Sequence, residues 1–219
     1  LTAAHILSAN YLSKEMFKDC RKLNTVTFNL NMMGYMYPRV FENCTSLKSI
    51  VIPDSIIKIE CHAFYGCSSL KSIIIPDSVE LIGSFAFNCC SGLRHLTLPK
   101  KLTRIHKDTF FSMRGLESIY IPGKVSVIHW EAFKGCNNLK SIYFAGDEDE
   151  WQNITIEDYK EGTKRGQSYM DGRDTVKQLK EWFQPIDNED FESYYKRLED
   201  FLSQYDKKPN KMLQLHYKK

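Results

Sequence analysis

The sequence predicts an α+β chain: a β-rich solenoid of about six 23-residue coils, followed by a C-terminal helical appendage. Three observations predict it. An apolar triplet followed by proline recurs at a fixed step: Leu47, Ile50, Ile52, Pro53; then Leu70, Ile73, Ile75, Pro76; then Leu93, Leu96, Leu98, Pro99; then Leu116, Ile119, Ile121, Pro122. A phenylalanine runs in phase, six residues before the leucine of its copy, at Phe17, Phe41, Phe64, Phe87, Phe110 and Phe133. A helical apolar stripe appears only after this period has stopped. Two in-phase markers over six copies leave chance no room, and a period of this length means stacked coils.

Each part of the coil follows from its residues. The triplet ends in period-2 alternation, which reads as a short strand with one buried face. Proline has no N–H for a ladder and marks the end of that strand. Asp54-Ser55 and Asp77-Ser78 supply turn chemistry. Val79 and Ile82 return to the core, and Ala86 with Phe87 closes the coil. One coil cannot bury its own apolar side; stacked coils about 4.8 Å apart can. The full pattern, F-x-x-C-x-x-L-x-x-I-x-I-P-x-S-V-x-x-I-x-x-x-A-F, is most complete from Phe64 to Phe87. It resembles the BspA-type leucine-rich repeat of bacterial surface proteins, over roughly residues 11–154. The resemblance implies a leucine-rich-repeat solenoid on a cell-surface or secreted protein. For some members it implies adhesion to host or extracellular-matrix proteins. The motif also occurs in some protist surface proteins, and it specifies a fold rather than a ligand.

In chain order, residues 1–16 read as an incomplete first coil, with Tyr11, Leu12 and Met16 in the places of Leu81, Ile82 and Ala86. Either earlier repeats are missing, or His5-Ile6-Leu7 helps to cap this end. The copy Leu23, Val26, Phe28 is followed by a stretch one residue longer than its counterparts and without the usual proline. An irregular coil is expected there. Met32, Met33, Tyr35, Met36 and Tyr37 either pack that coil, the preferred reading, or form a partner patch. The last copy, Leu139, Ile142, Phe144, carries Ala145 in place of proline. Trp151 is expected to fold over it as a cap, with Asp147 to Glu150 as the polar outer face. Residues 155–173 read as a polar loop or linker, with Gly162, Gly166 and Gly172. A helix is expected from about Asp174 to Phe183, ended by Gln184-Pro185. A second is expected from Asp187 or Asn188, with a stripe of Phe191, Tyr194, Tyr195, Leu198, Phe201, Leu202 and Tyr205. The domains are therefore 1–154, the capped solenoid, and 155–219, a linker with two helices.

Composition excludes several function classes. The chain has 219 residues, 42% of them hydrophobic, ample for a core. No apolar run approaches the length of a membrane span. The opening LTAAHILSA has no basic n-region and is not a signal peptide as it stands; a trimmed or mature fragment is expected. Residues 1–146 carry 17 Lys+Arg against 10 Asp+Glu (+7), and residues 147–219 carry 13 against 17 (−4). Neither balance is a nucleic-acid footprint. Cys20, Cys44, Cys67, Cys90 and Cys136 each fall three residues after a marker phenylalanine, and Met113 takes that place in the remaining copy. A methionine there points to a soft apolar filler, so a column of buried free thiols is expected rather than disulfides or zinc. Only Cys61 and Cys89 are out of phase. His106 and His129, one coil apart, lack a clear third ligand. No phosphate-binding loop, G-x-S-x-G or H-E-x-x-H is present, so no catalytic residue, metal or cofactor is expected.

The outward positions of the strands build the candidate site. The row after the leucines is Asn24, Lys48, Lys71, Arg94, Glu117, Lys140. The next is Thr25, Ser49, Ser72, His95, Ser118, Ser141, and the third is Thr27, Val51, Ile74, Thr97, Tyr120, Tyr143. A cationic edge, a hydroxyl centre and an apolar-to-aromatic edge suit a protein ligand. Such rows also simply suit strands, because Val, Ile, Thr and Tyr are β-formers. The residues expected to bind are Lys48, Lys71, Arg94, His95, Tyr120, Lys140 and Tyr143. The function read here is a non-catalytic protein-binding or adhesion module. The alternative is a structural or assembly protein that uses its Tyr-rich C-terminal helix for contact.

Overall fold

The computed structural model describes residues 2–6, 12–28, 34–157 and 183–185. The chain divides into two compact units, Leu1–Pro185 and Ile186–Lys219. All the described residues belong to the first.

In chain order the strands are β1 (Ala3–Ile6), β2 (Thr25–Phe28), β3 (Gly34–Met36), β4 (Ser49–Val51), β5 (Ile56–Ile59), β6 (Ser72–Ile74), β7 (Leu81–Ile82), β8 (His95–Thr97), β9 (Arg104–Ile105), β10 (Ser118–Ile121), β11 (Val127–His129) and β12 (Ser141–Phe144). Helix α1 (Glu148–Gln152), β13 (Thr155–Glu157) and β14 (Phe183–Pro185) follow. From β2 onward the even strands form one wall of the solenoid and the odd strands another, and β1 joins the even wall. All pairings are parallel. The register moves one repeat per coil, as in Ser118↔Ser141, Ile119↔Ile142 and Tyr120↔Tyr143. The apolar triplets therefore stack on themselves: Leu47, Leu70, Leu93 and Leu116 are fully buried.

The third side of each coil is the phenylalanine corner. Rings stack from Phe17 through Phe41, Phe64, Phe87 and Phe110 to Phe133, with centroids 5.3–6.1 Å apart. Backbone rungs run beside them: Phe41 N–H donates to Ala63 O at 2.9 Å and Phe64 N–H to Ala86 O at 2.9 Å. Turning this corner places two residues in the left-handed region in every coil but the last, for example His62 (φ 60°) with Gly66 (φ 71°), and Phe85 (φ 60°) with Cys89 (φ 60°); the last has Gly135 (φ 80°). Such residues cost about 1–2 kcal/mol each unless they are glycine. The stacked rungs hold them in place.

All seven cysteines are free. The in-phase thiols are more than filler. Cys44 Sγ donates to Phe17 O (3.1 Å), Cys67 to Phe41 O (3.1 Å), Cys90 to Phe64 O (3.0 Å) and Cys136 to Phe110 O (3.0 Å). Each thiol adds one rung to the coil before it. Burial pushes the Cys44 and Cys136 thiols up to about 12, and it raises those of Cys67 and Cys90 as well.

The C-terminal end closes as its sequence predicts, but further along than expected. Asp147 caps α1 in a reciprocal box with Glu150, and Trp151 is buried with its ring 5.2 Å from that of Phe144. Thr155–Glu157, expected as loop, is β13, paired to β11. Phe183, expected at the end of a helix, lies in β14, paired to β12 with Phe183 opposite Ile142 and Pro185 opposite Phe144. β14 thus stands where a further repeat would place its strand, and a proline there cannot pass the ladder on. By its contacts the first compact unit runs from Leu1 to Pro185. Residues 174–182 and the second helix expected from 187 lie outside the described residues.

At the other end, β1 is itself a repeat strand: Ala4 lies opposite Val26 and Ile6 opposite Phe28. In the irregular second coil, Met36 is in the core, Tyr37 is half-buried and Tyr35 is 36% exposed. Packing thus explains Met36, and Tyr35 remains a surface residue. Met32 and Met33 lie outside the described residues.

Candidate functional site

The even wall brings the expected rows together as its register dictates. Ser49↔Ser72 and Val51↔Ile74 stand side by side, as do His95↔Ser118↔Ser141 and Thr97↔Tyr120↔Tyr143. Lys48, Lys71, Arg94 and Lys140 are exposed at the entry to their strands, so the cationic edge is present. It is not uniform. Arg94 is ion-paired to Glu117, its neighbour in the same row. The hydroxyl row is tied to His95, whose Nδ1 lies 2.8 Å from Ser118 Oγ.

The third row differs from its expected exposure. Tyr143 is half-buried, but Tyr120 and Ile74 are buried, and so is Ser72 in the hydroxyl row. Tyr120 sits between Thr97 and Tyr143 on the ladder, so a neighbour lies along each side of it. Burial, and after it the Asp77 carboxylate, pushes its phenol above the ordinary value. Tyr120 therefore belongs to the floor of the face, while Lys48, Lys71, Arg94, His95 and Lys140 form its accessible part.

Sequence reasoning missed the charge pattern on the other sides of the solenoid. Glu131 is gripped by Lys107 and Lys134, both at 3.2 Å. Burial alone would raise its carboxyl, but these two hydrogen-bonded ammonium groups outweigh that and hold it low. Asp108 beside it is pushed up by burial and by the Glu131 charge. His106 is held low by burial and by Arg104, and His129 Nδ1 accepts from Glu131 N–H at 3.1 Å. Among the described residues, no group of three or more His, Cys, Asp or Glu is placed to hold a metal. No helix among them is long and apolar enough to cross a membrane.

Parallel walls, a stacked phenylalanine corner and leucine triplets one coil apart define a leucine-rich-repeat solenoid. The BspA type Leucine rich repeat region matches residues 34–159 in six copies, and the chain belongs to that family. Among solved structures, the chain is similar to the Treponema (T.) pallidum leucine rich repeat protein, at 28% identity and TM-score 0.62, over 64% of this chain and 68% of that one. It is also similar to the pneumococcal vaccine antigen PcpA, at 20% identity and TM-score 0.60, over 73% of this chain but only 42% of that one. A leucine rich cell surface protein from Faecalibacterium prausnitzii aligns at 22% identity and TM-score 0.44, over 73% of this chain and 64% of that one. No curated protein matches the chain.

Proposed function

We propose that the chain is a non-catalytic protein-binding module of a cell-surface or secreted protein, and that the even wall is its binding face. The observation that carries this reading is the row structure of that wall. Lys48, Lys71, Arg94 and Lys140 line one edge of a rigid ladder whose next row carries Ser49, His95, Ser118 and Ser141. Rigid elements that present a repeated polar pattern make a surface with little ordering cost on binding. Family membership supports the surface location, and adhesion to a host or matrix protein is the use it suggests. The test is binding of the full chain to a panel of purified extracellular-matrix proteins. Lys48→Glu with Lys71→Glu should abolish capture by the bound partner while the circular dichroism spectrum and melting temperature stay unchanged. Undiminished capture by the folded variant would remove the even wall as the binding face.

A further inference from the structure

The coils are not joined equally. Neither wall runs across the junction between the coil of Phe87 and the coil of Phe110: β6 pairs with β4 and β8 with β10, while β7 pairs with β5 and β9 with β11. Equivalent rungs elsewhere show what is missing. Ile52 N–H donates to Ile74 O (3.1 Å) and Leu98 N–H to Tyr120 O (3.0 Å), but among the described residues no such bond joins Ile75 to Thr97. Glu80 N–H donates to Ile57 O (2.9 Å) and Ser126 N–H to Thr103 O (3.1 Å), but none joins Thr103 to Glu80.

Packing agrees with the hydrogen bonds. Ile73 and Ile75 keep 7% and 9% exposure, against 3% or less for Ile50, Ile52, Leu96 and Leu98. The step from Phe87 to Phe110 is 6.1 Å, the widest in the ring column, where the others are 5.3–5.5 Å. Met113 fills the place of the cysteine whose thiol would donate to Phe87 O, so this junction also lacks that rung. Thr97 Oγ1 is buried beside it with no hydrogen-bond partner.

The core continues across the junction, and two corners add hydrogen bonds or ion pairs. At the phenylalanine corner, Phe87 N–H donates to Thr109 O (3.0 Å) and Cys89 N–H to Phe111 O (2.9 Å). At the turn after Pro76 the links are mainly ionic: Lys100 Nζ lies 3.2 Å from Asp77 and Lys101 Nζ 3.2 Å from Glu80, with every partner more than half exposed. Lys100 N–H adds one bond to Asp77 Oδ1 at 3.1 Å. Exposed pairs of this kind are weak and screened by salt.

We propose that this junction is a hinge loosened by ionic strength, with the phenylalanine corner as pivot and the Asp77–Lys100 and Glu80–Lys101 pairs as latch. Opening it changes the curvature of the even wall between Lys71 and Arg94, and so the shape of the face offered to a partner. The inference stands apart from what that face binds.

Amide hydrogen exchange of the full chain, followed by NMR at about 20 mM and about 500 mM salt, tests it, because that range shortens the screening length several-fold. The amides of Ile75 and Thr103 should exchange at least about tenfold faster than those of Ile52, Leu98, Glu80 and Ser126, as local opening requires, and the gap should widen with salt. In Asp77→Asn with Glu80→Gln, the two amides should exchange fast at both salt levels. Equal exchange at junction and reference amides overturns the hinge. A gap that ignores salt, or a salt response that survives in the variant, overturns the latch.

Discussion

Truncating one ring in the middle of the phenylalanine column tests whether stacking between coils, rather than burial within each coil, holds the solenoid together. Phe64 is fully buried between Phe41 at 5.5 Å and Phe87 at 5.3 Å. Phe17 is half-buried and stacks on Phe41 alone among the described rings, at 5.4 Å. Phe64→Ala removes a full side chain from the core, which costs about 3–5 kcal/mol. It also breaks two ring contacts of about 0.5–1.5 kcal/mol each, so the upper part of that range applies. Phe17→Ala loses one contact and a partly buried ring, about 1–2 kcal/mol. The assay is urea unfolding read by far-ultraviolet circular dichroism, with linear extrapolation. Phe64→Ala should also lower the denaturant slope, because a weak interior coil uncouples the array into two shorter ones. If the two variants cost the same within about 1 kcal/mol and the slope does not change, the column is not what couples the coils.

Two further outcomes follow from the corner. The buried thiols stay protonated in the fold, while unfolded thiols ionise near the ordinary value of 9.0, so their stabilisation is complete below about pH 9 and declines from there toward pH 12. Unfolding free energy measured against pH should therefore fall more gently above pH 9 in Cys67→Ala than in wild type, by about 1.4 kcal/mol per pH unit; parallel slopes would mean that Cys67 ionises freely in the fold. Left-handed backbone sets the other pair of outcomes. Cys89→Gly should raise stability by about 0.5–1 kcal/mol, and Gly66→Ala, whose new Cβ would stand 2.5 Å from Asn43 Oδ1, should lower it by about 1–2 kcal/mol in the same urea assay.

The repeat made most of the fold legible because stacking copies one set of constraints onto every coil. Leucine at a fixed step must be core, and Trp151 after the last copy has a raw apolar end to cover. What escaped was wherever a strand lacked the markers. Leu1, Ala4 and Ile6 keep the spacing of Leu23, Val26 and Phe28, but alanine in the central place conceals the copy. Phe183-Gln184-Pro185 reads as a helix end because its strand identity comes from the edge of β12, which is tertiary information. The even wall was legible row by row from its period-2 register. The burial of Ser72, Ile74 and Tyr120 was not, since alternation states which way a side chain points and says nothing of what lies over it.

The cysteine column shows how a break in a repeat can carry more information than the repeat itself. A methionine among in-phase cysteines suggests that the site needs only a soft filler, and that inference is incomplete. In four coils the thiol donates to the preceding phenylalanine carbonyl, a bond methionine cannot make. The substitution at Met113 is therefore a lost rung at one junction. It is the same junction where neither strand ladder continues, the ring step is widest, and two exposed ion pairs bridge the far corner. One sequence change cannot cause all of these, since Ile75 and Thr103 lie on different walls. Their coincidence means that this pair of coils is matched less closely than its neighbours on every side but one. A linear array opens first at its weakest interface. The step from Phe87 to Phe110 is thus where the even wall should yield first.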